Sequence, residues 1–547
     1  MAQRIEVKSK IRDTRAEIRK KRISELGFDI EDVVLTDAYT LDDDSAAVDL
    51  EKVAQMLTNP VTQLSTVNSP SYPKRFDYAV EIGFLPGVTD NVGTTGREMI
   101  EDYFDIDLEG QGVYSSQVMF LRGDLTRDQA SKIGDAFSNP LIQRKSVKNF
   151  DEFIRDRGMD VIVPRVRLDK KPVLDLVNIL EASDQELALI GKQGIANSDG
   201  SRRGPLSMDL AYMQSVRDYF ARSGREPTDL ELESIAQTWS EHCKHTIFAD
   251  PIDEFKDGLF RHFIKRATVE VRAQKEDRDF CVSVFTDNAG GIIFDDDFLV
   301  CDKVETHNSP SALDPFGGAI TGIVGVNRDS MGFGMGAKPV ANRYGFCFGN
   351  QNSTEILYKR ADKSQRMLSS RRIMDGVIEG VNVGGNCSGI PTPQGFFYFD
   401  PSYRGKPLVF VGTVGLMPRE KDGRNLHEKR ARSGDYIVMV GGRVGKDGIH
   451  GATFSSEAID SGSPATAVQI GDPITQKKLS DAIVKEARDR ELYHSITDNG
   501  AGGLSCSVAE MAKESGGFYV RLEKVPLKYS GLAPWEIWIS ESQERMT

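Results

Sequence analysis

Cysteine is scarce. Six thiols, Cys243, Cys281, Cys301, Cys347, Cys387 and Cys506, are spread over 547 residues with no C-x-x-C pair, too few and too scattered for a disulfide framework. Basic charge is also in deficit: Lys plus Arg is 69 against 82 for Asp plus Glu, a formal net charge of −13 with a pI near 5.3. That balance argues against nucleic acid or an anionic membrane as the main partner. Long apolar runs are missing too. With a mean hydropathy of −0.37, no stretch approaches the roughly 18 residues of a bilayer span, and residues 1–10 lack the apolar centre of a signal peptide. These absences predict a soluble, cytoplasmic chain with reduced thiols and neither a nucleic-acid nor a membrane partner.

Glycine, by contrast, is abundant: 51 residues, where average usage of roughly 7% gives about 38. Few lie before residue 200 and many between 290 and 517, a pattern of loops that let backbone approach a ligand. The length predicts three or four compact units. The first 160 residues repeat faintly, because Leu57–Gln63 (LTNPVTQ) and Phe137–Gln143 (FSNPLIQ) match at a spacing of 80. Each copy closes a β-α-β-α pattern: strands over 4–8 and 33–41 with helices over 13–26 and 47–57, then strands over 76–82 and 113–121 with helices over 90–104 and 127–137. Two such units predict two small ferredoxin-like layers packed through their sheets. Residues 172–241 turn helical, and the last helix has a capping-box start at Thr228 and Glu231. A charged linker falls at 419–433, an α/β pattern restarts at 434–440, and Trp535–Glu541 alternates as a strand. With only six residues following it, the last domain is expected to be incomplete.

Several segments carry residue types suited to chemistry. Ser240-Glu241-His242-Cys243-Lys244-His245 ends the capped helix. No zinc-ligand spacing accompanies it, which leaves His242 as a catalytic or substrate-positioning imidazole, with Lys244 or His245 aimed at an anion, or as a buried helix-end histidine. After the apolar strand 298–301, alternation puts Lys303 and Glu305 on one face. The pair reads either as a cross-strand salt bridge or as a phosphate-contacting Lys beside a metal-holding Glu. Gly317–Asp329 (GGAITGIVGVNRD) is neither G-x-x-x-x-G-K-[ST] nor G-x-G-x-x-G. Its small residues predict a loop whose N–H groups meet a polyphosphate, with Arg328 for bidentate phosphate contacts and Asp329 as a hard ligand. Gly384–Gly389 reads as a flexible anion loop. Asp498 stands where a strand gives way to glycines and a helix over 504–513, and Glu305, Asp329 and Asp498 together suit a hard cation and phosphoryl transfer.

As an ordered set, SEHCKH, DKVETHNSP, GGAITGIVGVNRD, GNCSGIPT, VQIGDP, TDNGAGGLS and ISESQER resemble the phosphoribosylformylglycinamidine synthase (formylglycinamide ribonucleotide amidotransferase) family, specifically the N-terminal portion of its long single-chain form. The resemblance runs from about residue 230 onward, and the N-terminal repeat is similar to the family's small subunit. It implies an α+β and α/β multidomain chain: a ferredoxin-like small-subunit-like domain (1–165), a helical linker (166–240), and aminoimidazole ribonucleotide synthetase-type N (241–430) and C (431–547) domains, the last truncated.

The implied activity is that of a C–N ligase of purine biosynthesis. It uses ATP with Mg²⁺ to convert formylglycinamide ribonucleotide to formylglycinamidine ribonucleotide through an iminophosphate that ammonia attacks. The ammonia derives from glutamine through a glutaminase domain or subunit outside this chain, and the site is completed by a missing C-terminal half or a second copy. By motif position the resemblance assigns His242 and His307 as catalytic. It assigns His245, Lys303, Gly318, Ala319, Thr321, Gly322 and Gly325 to ATP, and Glu305, Asp329 and Asp498 to Mg²⁺. Thr306, His307, Asn308, Ser309, Arg328, Gln469, Glu541, Ser542 and Gln543 fall on substrate positions. Short-form members carry Tyr in place of His245 and a second His in place of Ser309. The competing expectation is a truncated, catalytically silent nucleotide-binding scaffold.

Overall fold

A computed structural model describes residues 2–42, 48–108, 112–166, 168, 173–359, 363, 365–451 and 469–547. The chain forms two compact units, 1–167 and 168–547. Ala47 and Pro172, at the edges of expected helices, and Val468 of the VQIGDP motif lie outside the described residues.

The first unit is a single six-stranded antiparallel sheet in the order β3-β1-β2-β5-β4-β6. Its strands are β1 (Gln3–Ser9), β2 (Asp32–Leu41), β3 (Gln63–Val67), β4 (Tyr78–Phe84), β5 (Val113–Arg122) and β6 (Gln143–Asn149). Helices α1 (Thr14–Glu25), α2 (Leu50–Met56), α3 (Asn91–Phe104) and α4 (Arg127–Phe137) alternate with them, and α5 (Phe150–Arg155) follows β6. The order is symmetric about β2 and β5. Each half is therefore β-α-β-α-β, and the halves join edge to edge in one sheet, not as two stacked layers. The 80-residue repeat is the turn into each third strand, which the sequence pattern missed. Asn59 N–H donates to the Gln63 side chain at 2.8 Å, and Asn139 N–H donates to that of Gln143 at 2.9 Å. Alternation explains the layering: Val33, Leu35, Met119 and Leu121 face α1 and α4, while Val118 and Phe120 point to the opposite face and pack on Phe76 and Phe153.

The second unit begins with α6 (Asp184–Gln193), α7 (Leu210–Ser223) and α8 (Asp229–Trp239) around a core of Ile179, Leu187, Met213, Phe220, Leu232 and Ala236. The Thr228–Glu231 capping box starts α8 as the sequence predicts. Short helices α9 (Glu241–Lys244) and α10 (Thr246–Ala249) follow, then α11 (Arg266–Lys275). A second mixed sheet has the order β11-β10-β12-β9-β8-β7. Its strands are β7 (Cys281–Ser283), β8 (Gly290–Ile293), β9 (Phe298–Thr306), β10 (Lys338–Phe348), β11 (Gln394–Phe399) and β12 (Leu408–Pro418). Helices α12 (Asn308–Leu313), α13 (Pro315–Gly332) and α14 (Ser370–Ser388) belong to this layer, and Ala319, Ile323 and Val326 of α13 meet Ile373, Val377 and Val381 of α14 over Phe346 and Val411 of the sheet. The chain continues through α15 (Pro473–Asp481), α16 (Leu504–Ser515) and α17 (Pro534–Ile539), and residues 440–441 pair antiparallel with 545–546.

Four expectations are corrected here. Gly317–Asp329 is not a loop but most of α13, and its glycines serve close helix packing. A Cβ on Gly318 would lie 2.4 Å from the Ser311 nitrogen, and one on Gly380 of α14 would lie 2.5 Å from the Phe316 carbonyl oxygen. Gly384–Gly389 is the last turn of α14, ended by Gly389 at φ +71, the left-handed conformation that glycine adopts without strain. Trp535–Glu541 is largely helix, because Pro534 at its first position pre-sets a helical φ and Glu536 reaches back to the Ala533 N–H at 2.8 Å. Finally, residues 434–439 are irregular, and only 440–441 extend as strand.

Candidate active site

An acidic cluster forms where β9, α13 and the turn before α16 converge. Alternation on β9 puts Lys303 beside Glu305, with Nζ 3.0 Å from Glu305 and 3.5 Å from Asp329 on α13. Asn288 ties in the third carboxylate: its Nδ2 donates to Asp329 at 3.3 Å and to Asp498 at 3.0 Å. Burial, then the charge of Asp498, pushes Asp329 well above the ordinary carboxylate range. Burial works against the Lys303 ammonium, but Asp329 and Glu305 outweigh it and hold it above its ordinary value. Among the described residues no three His, Cys, Asp or Glu side chains close into a metal cage. The carboxylates ring the Lys303 ammonium and the Asn288 amide instead. Three hard carboxylate oxygen donors fit a Mg²⁺ that would take its remaining ligands from phosphate and water.

Two imidazoles face this cluster. His307, at the end of β9, has Nδ1 2.5 Å from the carbonyl oxygen of Gly318. A carbonyl only accepts, so Nδ1 carries the hydrogen and Nε2 keeps its lone pair. Burial lowers this ring to about 4, so it is neutral at physiological pH. His242, on α9, is also lowered by the protein packed around it, with Glu305 pulling the other way. His242 bears on the ionisation of His307 as well, so the two rings share one electrostatic neighbourhood.

Beside the cluster lies a buried polar network built from distant segments. Arg328 donates to Gln543 at 2.7 Å and to Glu544 at 3.2 Å. Gln543 donates to Gln469 at 2.7 Å, Gln469 donates to Glu541, and Glu541 accepts from the Gly502 N–H at 3.0 Å. Burial lifts Glu544 to about 8. Almost all of these polar atoms are satisfied by one another, and such networks hold a geometry rigidly.

The structure thus gathers His242, Lys303, Glu305, His307, Arg328, Asp329, Gln469, Asp498, Glu541 and Gln543. Others of the sequence-derived set act from behind. Gly318 supplies the carbonyl that orients His307, Gly322 lets the His307 Cβ approach, and the Thr321 hydroxyl donates to the Gln469 carbonyl at 3.1 Å. Ala319 is buried against α14, and the nearest neighbour of Gly325's open side is Arg328. Asn308 caps the Val409 N–H at 2.8 Å, and Ser542 donates to Asp447 at 2.6 Å. Thr306 is exposed at the strand end and Ser309 is buried. His245 ends α9 in a left-handed conformation, φ 54, and Lys244 is committed to the Tyr212 hydroxyl at 3.0 Å rather than to an anion.

Three regions of the chain match known protein families. Residues 199–245 match the formylglycinamide ribonucleotide amidotransferase linker domain, 286–417 the N-terminal domain of AIR synthase related proteins, and 432–547 their C-terminal domain. The phosphoribosylformylglycinamidine synthase subunit PurL of Thermoplasma acidophilum is 37% identical over 373 residues, 68% of this chain and 44% of that protein. The Thermoplasma volcanium subunit is 38% identical over 349 residues, 63% and 42% of the two chains. The chain belongs to the phosphoribosylformylglycinamidine synthase family. It spans less than half the length of these family relatives. Among solved structures, T. maritima PurL complexed with FGAR is similar at 32% identity over 62% of this chain and 47% of that one, with a TM-score of 0.46.

For a family member read from sequence, the missed residues are the ones that hold others. Asn288 and Glu544 are two. A third is His450, whose Nε2 lies 2.8 Å from Glu233 of α8, both fully buried. A signal for Asn288 was present: Thr286-Asp287-Asn288 repeats as Thr497-Asp498-Asn499, and the two triplets meet, with the Thr497 hydroxyl 3.2 Å from the Asn288 Oδ1.

Proposed function

We propose that this chain carries the synthetase chemistry of its family: conversion of formylglycinamide ribonucleotide to formylglycinamidine ribonucleotide with ATP, Mg²⁺ and ammonia. What supports the reading is the convergence of residues from six sequence-distant motifs on one acidic cluster, flanked by two imidazoles and a buried Arg–Gln–Glu network. The substrate's amide oxygen attacks the γ-phosphorus of ATP, ADP leaves, and an O-phosphorylated imidate forms. Ammonia then adds to the imidate carbon, the C–O bond breaks, phosphate departs with the original amide oxygen, and one proton is lost to leave the amidine.

In this reading Lys303 and His245 meet the nucleotide, and Mg²⁺ held by Glu305, Asp329 and Asp498 supplies the positive charge that lets a polyphosphate enter a carboxylate-rich cleft. His307 receives a proton on Nε2, and His242 stands over the reacting amide. Thr306, Asn308, Ser309, Arg328, Gln469, Glu541, Ser542 and Gln543 form the substrate side. Glutamine is the source of ammonia, through a glutaminase domain or subunit, and a further half-length of chain or a second copy covers the site. The setting is the cytoplasm.

The test is inorganic phosphate release from ATP with ammonium salt, with and without formylglycinamide ribonucleotide. Release that depends on the ribonucleotide is expected. ADP binding with no dependent release would instead leave a nucleotide-binding scaffold.

A further inference from the structure

We infer that Asn288 is a positioning residue that sets the spacing of the two largely buried carboxylates, Asp329 and Asp498, offered to the divalent cation. The inference deepens the cation site proposed above and rests on it. Asp329 comes from α13 and Asp498 from the turn before α16, segments separated by most of the synthetase-type half of the chain. Two carboxylates facing each other in a buried setting repel, and the Arg328 Nε is 3.8 Å from Asp498, too far to bond it. Asn288 bridges the pair, donating one N–H of its amide to each at 3.3 and 3.0 Å.

The amide can face only one way. Lys429, in the linker segment after β12, lies 3.3 Å from the Asn288 Oδ1, and an ammonium donates and never accepts. Thr497 donates to the same oxygen at 3.2 Å. Oxygen therefore faces Lys429, and both N–H groups face the carboxylates. Lys429 is itself fixed, paired with Asp287 at 2.5 Å and donating to the carbonyls of Gly332 at 2.5 Å and Ile496 at 2.8 Å. These anchors come from the segment before β8, the end of α13 and the segment before Asp498, so the linker lysine locks the amide that locks the carboxylates. Groups that orient metal ligands from behind typically change metal affinity by roughly 10- to 100-fold when removed.

The experiment is titration of Mn²⁺, followed by the electron paramagnetic resonance of the free ion, into the full 547-residue chain with ADP present. Wild type and Asn288→Ala are compared, with thermal unfolding recorded for both. Mn²⁺ binding weakened at least tenfold, at an unaltered unfolding midpoint and unaltered metal-free ADP affinity, is expected. Asn288→Ser carries the same expectation and is read if the alanine variant does not fold. Wild-type uptake with unchanged affinity in the folded variant overturns the role of Asn288 alone. A wild-type chain that takes up no Mn²⁺ overturns the cation site and this inference with it.

Discussion

In the proposed reading His307 is a base, and one hydrogen bond and its burial set the state of its ring. The Gly318 carbonyl fixes the hydrogen on Nδ1, and burial lowers the ring to about 4, so the lone pair on Nε2 is available at every pH where the protein is expected to work. A protonated ring is inactive in this role, so its contribution to kcat is level from about pH 6 to 8 and falls only as the pH approaches 4. His307→Asn keeps a donor for the Gly318 carbonyl and removes the base. It is expected to lower kcat roughly 10²- to 10⁴-fold while leaving ADP affinity, measured by calorimetry, unchanged. An acidic limb near the ordinary imidazole value of about 6.5 would remove this assignment. At this scale much of the site is legible in sequence, because Lys, His and carboxylates at fixed offsets on β9 and α13 have few uses other than charge. Asn288 was illegible alone, since an asparagine is equally a turn residue, and only the long-range partners Asp329 and Asp498 give it a function.

Among elements, glycine misled. Its conformational freedom predicts loops, but in α13 and α14 the missing side chain lets two helices touch backbone to backbone, as Gly380 against the Phe316 carbonyl requires. Sequence pattern does not separate the two uses, because both ask only for the absence of Cβ. A run such as Trp-Glu-Ile-Trp-Ile is similarly ambiguous between strand and helix, and Pro534 decided for α17.

The contact between α8 and the 444–451 turn is an element-scale prediction. Burial disfavours the charged His450, but the charge and hydrogen bond of Glu233, with Glu541 behind them, outweigh it and hold His450 above its ordinary value. Trp535 stacks alongside at 6.3 Å, and Arg203 lies over that indole. A histidine with a raised folded value contributes stability fully below its unfolded value of about 6.5, and the contribution is lost as the pH rises through the folded value. Denaturant unfolding is therefore expected to show stability declining above neutral pH. His450→Ala, which leaves Glu233 buried and uncompensated, is expected to cost about 3–5 kcal/mol and to flatten that decline. A variant of wild-type stability with the slope intact would show the pair to be unimportant.

Across the whole chain, the net charge of −13 is consistent with a phosphate site that is local and cation-assisted, not a broad basic surface. The 80-residue repeat was readable because the same Asn-Pro-x-x-Gln turn is used twice. The single continuous sheet was not, because edge pairing of β2 with β5 leaves no mark in either strand's own pattern. The motifs that meet at the candidate site were visible along the sequence, whereas the buried network joining Arg328 to Glu544 was not.

The most direct measurement uses formylglycinamide ribonucleotide carrying ¹⁸O in the amide oxygen, with ATP and ammonium. Phosphoryl transfer to that oxygen predicts one ¹⁸O atom in each inorganic phosphate released. Phosphate released without the label would contradict the account.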